Sequence, residues 1–112
     1  MAHLPTGIIV SAAIRQASKE GVSIYVLHKG DQDTGAILIK LNFLDGRAQL
    51  FTQTTLDDLS GWLPATAEPI DEAETQTTIS QFLKFDPDLW VIEIEDREGR
   101  LWIEGKILDF LG

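Results

Sequence analysis

The stretch from Phe85 to Arg100, FDPDLWVIEIEDREGR, constrains the fold of this chain more than any other. It stops a helix, starts a strand and closes that strand with a charged turn. Pro87 biases Asp86 away from helical geometry, so a helix arriving from upstream ends there or slightly earlier. Residues Leu89 to Asp96 alternate. That spacing predicts a strand with Trp90, Ile92 and Ile94 toward the core and Val91, Glu93 and Glu95 facing out. Asp96 to Arg100 then turns the chain, and Leu101 to Glu104 return as a hairpin partner.

Upstream, Ile9, Val10, Ala13, Ile14 and Ala17 fall at helical spacing, and Gly21 sits where a left-handed residue would end that helix. Val22 to Lys29 reads as a strand, with Val22, Ile24 and Val26 on one face and Tyr25 and Leu27 on the other. After the polar loop Gly30 to Gly35, Ala36 to Phe43 is apolar on both faces and predicts a second strand antiparallel to the first. Asp45-Gly46 is a tight-turn signal into a third strand, Arg47 to Gln53. Gly61, Pro64 and Pro69 punctuate the next segment, where Trp62-Leu63 form a short edge strand. Asp71 with Glu74 resembles a capping box, stapled by Ile70, for a second helix running to about Lys84. Its buried face is expected to hold Ala73, Gln76, Ile79, Phe82 and Leu83.

The fold class expected is α+β. A mainly antiparallel sheet of four to six strands carries two helices, in the order α-β-β-β-(β)-α-β-β, within a single domain over residues 1–112. The alternative is a three-layer α-β-α sandwich, because the first two strands are apolar on both sides.

The absence of cysteine removes disulfides, thiolate chemistry and cysteine-based metal sites. The amino terminus lacks the basic region and unbroken apolar run of a secretory signal, and no run approaches the ~20 apolar residues that span a bilayer, so a cytoplasmic location without membrane association is expected. The net charge of −9 is unevenly placed. Residues 1–56 hold four acids against five bases, and residues 57–112 hold fourteen acids against four. Scattered single bases disfavour nucleic acid, whereas the acidic C-terminal half suits a basic protein partner or serves simply as a solvated face.

The Phe85–Arg100 block, together with Glu20-Gly21, the Gly-Asp-x-Asp-x-Gly loop at Gly30 to Gly35 and Leu44-Asp45-Gly46, resembles a small alphaproteobacterial family of unknown function, domain of unknown function 1491. These landmarks span most of residues 8 to 101. The resemblance implies no activity, cofactor or catalytic residue.

Asp31, Asp33 and Gly35 echo the opening of a calcium loop, but Gly35 stands where that loop needs its third oxygen ligand and Asn42 where it needs a Glu. A structural loop is the simpler reading. Asp31 and Asp33 become metal ligands only if the fold brings them to Glu93 and Glu95, a set that would suit divalent-metal-dependent hydrolysis. His28 has no Ser-His-Asp partners in its local sequence, and no phosphate-binding glycine loop occurs. Trp102, Phe110 and Leu111 either cover the sheet or make a homodimer contact. The sequence therefore favours a non-enzymatic binding or interaction module without a cofactor, with the metal-dependent hydrolase as the alternative.

Overall fold

The computed structural model describes residues 4–56 and 59–108. Helix α1 (Thr6–Lys19) is followed by strands β1 (Ser23–His28), β2 (Ile37–Asn42), β3 (Arg47–Leu56), β4 (Leu59–Pro64) and the two-residue β5 (Ile70–Asp71). A 3-10 turn (Glu72–Glu74) leads into α2 (Thr75–Phe85), β6 (Trp90–Glu95) and the two-residue β7 (Lys106–Ile107). The fold is α+β. Its sheet runs β1-β6-β2-β3-β4-β7, with β5 paired to β3, and is mostly antiparallel. The β2–β6 and β4–β7 pairs are parallel.

The two helices lie on opposite faces of the sheet, so the layered arrangement also describes the molecule. Val10, Ala13 and Ala17 of α1 pack on Ile24, Ile37, Ile39, Leu41, Ile92 and Ile94, whereas Ile79, Phe82 and Leu83 of α2 cover Leu38, Leu50, Leu89 and Val91. Every residue of β2 is buried.

The helix ends match their sequence signals. Gly21, at φ 76°, follows α1 and accepts a backbone conformation that a side chain would strain. Asp86, extended at φ −139° and ψ 90°, ends α2 just before Pro87. Asp71 caps Ala73 N–H, but a 3-10 turn intervenes before α2. The phase of α2 shifts as a result. Ala73 and Gln76 are exposed, contrary to expectation, and Thr75 is buried in their place.

Three further expectations are corrected. The first two strands are antiparallel in direction but not adjacent, because β6 inserts between them. A strand that is apolar on both faces signals a central position without naming its neighbour. Val91 and Glu93 do not face solvent: α2 and the 3-10 turn roof that face, leaving Val91 fully buried and the Glu93 side chain 13% exposed. Residues Leu101 to Glu104 form no strand. The chain crosses the sheet instead and adds β7 beyond β4, pairing with Gly61 and Trp62, so Trp62 does not lie at the edge.

Candidate functional site

Helix α1 has no side-chain cap at its start, and its first free amides are satisfied from outside the helix. Thr6 and Gly7 N–H donate to the carbonyls of Asp33 (3.3 Å) and Gln32 (2.9 Å), and the Thr6 hydroxyl donates to Gly35 O at 2.7 Å. The Gly30–Gly35 loop is in turn fixed to the start of β6. Asp31 N–H donates to Asp88 O (2.9 Å), and the Trp90 indole donates to Asp31 O (2.7 Å). The two most distinctive sequence blocks thus form one knot that seats α1 on the sheet.

On the same face, the segment after β6 crosses the sheet. Leu101 is buried, and Trp102 and Ile103 pack against the α1-side core. Between this segment and α1 lies a cleft with β3 at its floor. One part, about 460 Å³, is lined by Leu4, Ile9, Ala12, Gln16, Trp102 and Glu104 among others. A second part, about 450 Å³, shares Leu4, Ile9 and Gln53 and continues to Thr6, Asp33 and Thr34. Both parts are open to the surface, and their lining mixes apolar side chains with polar ones such as Thr6, Gln53 and Thr54. Among the described residues, no Lys, Arg or His lines either part. Asp33 and Glu104 are the charged residues.

Trp102 is held in place firmly. Its backbone lies at φ 62°, a conformation that costs a bulky residue about 1–3 kcal/mol and persists only where surroundings enforce it. The indole N–H donates to Asp96 Oδ2 at 2.9 Å, and the Arg100 guanidinium stacks 4.6 Å from the ring centroid. Asp96 is 3% exposed and also accepts from Arg100 Nε (2.8 Å) and Glu98 N–H (2.8 Å). Burial by itself raises the Asp96 carboxyl, but the hydrogen bonds from Arg100, Trp102 and Glu98 outweigh it and leave the pKa lowered.

A lowered carboxyl stabilises the fold above its ordinary titration range, near 3.9, and loses that contribution as pH falls through the still lower folded value. Asp96→Asn is expected to cost about 1–3 kcal/mol at neutral pH, toward the lower end because the Arg100 side chain is 39% exposed. Urea titrations of both proteins from neutral pH downward should show a constant gap that closes below about pH 4. A gap that widened on acidification would contradict this assignment.

The other sequence-derived site residues lie apart. The Asp31 carboxylate is turned into its own loop, accepting from Asp33 N–H, Thr34 N–H and the Thr34 hydroxyl, and its pKa is lowered by the Thr34 bonds first. That loop contacts the beginning of β6, whereas Glu93 lies three residues further on, about 10 Å along the strand. Among the described residues, no group of three or more His, Cys, Asp or Glu side chains is placed to hold a metal ion. Asp31, Asp33, Glu93 and Glu95 therefore do not converge. His28 has its Nδ1 2.8 Å from Leu89 O. Phe110 and Leu111 lie outside the described residues.

The sequence reading missed Lys40, which sits in ILIKLN on the same strand face as Leu38. Its side chain is 3% exposed and lies 3.1 Å from Glu72 Oε1 and 3.5 Å from Glu93 Oε2. Asn42 Nδ2 also donates to Glu93 Oε2, at 2.9 Å. The one available signal was a lone lysine in an otherwise apolar strand.

A family model described as a protein of unknown function (DUF1491) matches residues 4–104. The chain belongs to this family. A crystal structure of a DUF1491 family protein from Caulobacter crescentus is 34% identical with a TM-score of 0.84, covering 95% of this chain and all of that one. An NMR structure of a DUF1491 family protein from the same organism is 33% identical with a TM-score of 0.83, covering 97% and 100%. The solution structure of protein Atu0922 from A. tumefaciens is 27% identical over 84% of this chain and 86% of that one, with a TM-score of 0.71. No curated protein matches. The Gly30–Gly35 and Phe85–Trp90 segments of this chain are the two halves of the knot beneath α1, which gives them an architectural role.

Proposed function

We propose that this DUF1491 protein is a non-enzymatic interaction module whose α1 cleft receives an extended segment of a basic protein partner. The observation that carries this is the cleft's lining: apolar side chains such as Leu4, Ile9 and Ile103 beside polar ones, an indole held in a fixed pose, and, among the described residues, acids as the charged groups. Apolar side chains of the partner enter the cleft while Lys or Arg side chains reach Asp33 and Glu104. The length agrees. From Thr6 to Gln16 the helix rises about 15 Å, which an extended strand covers with about five residues. The acidic second half of the sequence supports attraction of such a partner over a longer range.

Fluorescence anisotropy with short labelled peptides of alternating Leu and Lys tests the reading. Binding is expected to weaken as salt rises, since exposed charges are screened. Ala12, exposed on the cleft wall, provides the control: Ala12→Trp fills the space and should weaken binding at least about tenfold, or about 1.4 kcal/mol. Absence of binding at millimolar peptide, or binding unchanged in Ala12→Trp, would overturn the proposal.

A further inference from the structure

Among the described residues, strand β1 lies at one end of the sheet and pairs only with β6, so one side of its backbone faces no described strand. Natural edge strands are usually guarded by charges, prolines, bulges or short length. Ser23–His28 contains no charged residue and no proline. Its one guard is an irregularity between Val26 and His28, which leaves Ser23 to Val26 in unbroken register with β6. Tyr25, Val26 and Leu27 are 50%, 42% and 46% exposed, on a strand whose inner partner β6 is buried on both faces over Trp90 to Ile92.

We infer that this edge pairs with β1 of a second copy, antiparallel about a two-fold axis through Tyr25, to join the two sheets into one. The register follows from parity. Directly opposed residues share a face, and a two-fold axis perpendicular to the sheet preserves faces. Centring on Tyr25, within the regular stretch Ser23 to Val26, sets Tyr25 against its symmetry mate and Ile24 against Val26. The exposed Tyr25 and Val26 side chains thereby enter cross-strand pairs of the kind that stabilise sheets. A contact this small belongs to the low end of interface sizes, so the dimer is concentration-dependent. Two chains of charge −9 repel each other, and the association therefore strengthens with salt, opposite to the cleft.

Sedimentation velocity of the full chain, from about 10 µM to about 1 mM, at about 50 and about 500 mM salt, tests the inference. Dimer is expected to grow with concentration and with salt, and β1 amides to gain protection from hydrogen exchange in parallel. Val26→Lys, at an exposed position, should weaken dimerisation at least about tenfold with an unchanged circular dichroism spectrum. Tyr25→Lys serves the same purpose if that variant folds poorly. A chain that stays monomeric at the highest concentration and salt overturns the inference. So does a dimer that survives both substitutions, since it must use another surface. Peptide binding in the cleft is read independently, by its opposite salt dependence.

Discussion

Gly30→Ala is expected to lower the melting temperature by more than about 10 °C, corresponding to a loss of about 3 kcal/mol or more. A Cβ at this position would lie 2.1 Å from Asp88 O, 2.7 Å from Leu89 C and 2.7 Å from Trp90 Cδ1. Two of these atoms belong to the backbone, so no side-chain rotation relieves the overlap. Relief requires moving the loop off β6, which breaks the Asp31–Asp88 and Trp90–Asp31 bonds and withdraws the carbonyls that satisfy α1. Gly35→Ala meets the same obstacle at 2.7 Å from Asp88 O and 2.8 Å from Asp31 O. Gly46→Ala is the informative control. At φ 89° with nothing within 4 Å it pays only the local conformational cost, about 1 kcal/mol. Thermal melts of the three variants decide the matter: a Gly30→Ala protein as stable as Gly46→Ala would contradict the knot.

The second large effect is expected at Glu93. Glu93→Gln should cost about 2–4 kcal/mol in urea denaturation, because it strips the buried Lys40 ammonium of its best-shielded counter-charge. Glu72→Gln should cost less than about 1 kcal/mol, although its oxygen is nearer, because that side chain is 44% exposed and water screens the pair. Burying an ion pair is itself expensive, so removing both charges is cheaper than removing one. The Lys40→Met/Glu93→Gln double variant should therefore recover to within about 1 kcal/mol of the parent protein. If Glu93→Gln were neutral, the assignment of Glu93 as the internal counter-ion of Lys40 would fall.

What the sequence made legible was local. Pro87 and the Asp45-Gly46 turn announced a helix stop and a chain reversal because backbone sterics act over a few residues. The alternation at Trp90, Ile92 and Ile94 identified the α1-side core because a strand's period is a property of the strand itself. Pairing partners were not legible. Nothing in SIYVLH or ILIKLN states that a strand sixty residues downstream will lie between them, since the choice depends on burying both faces of β2 at once. Glu93 was misplaced for the same reason: an alternating strand implies one wet face, and only the packed tertiary structure shows that α2 and the 3-10 turn roof it. Trp102 was recognised as a notable aromatic, but the cleft beside it is made by two segments remote in sequence. Its acidic lining cannot be read from either segment alone.

The position of β6 between β1 and β2 also dictates the order in which this molecule can assemble. Strands β2, β3 and β4 are joined by short connections and each pairs with the next, so they can come together as soon as they have been synthesised. Strand β1, though made earlier, has no neighbour until β6 exists, because Ser23 pairs with Glu95 and Val26 with Ile92. Throughout synthesis, then, the first strand waits for one of the last, and this slow, non-local step exposes the SIYVLH segment to other nascent chains.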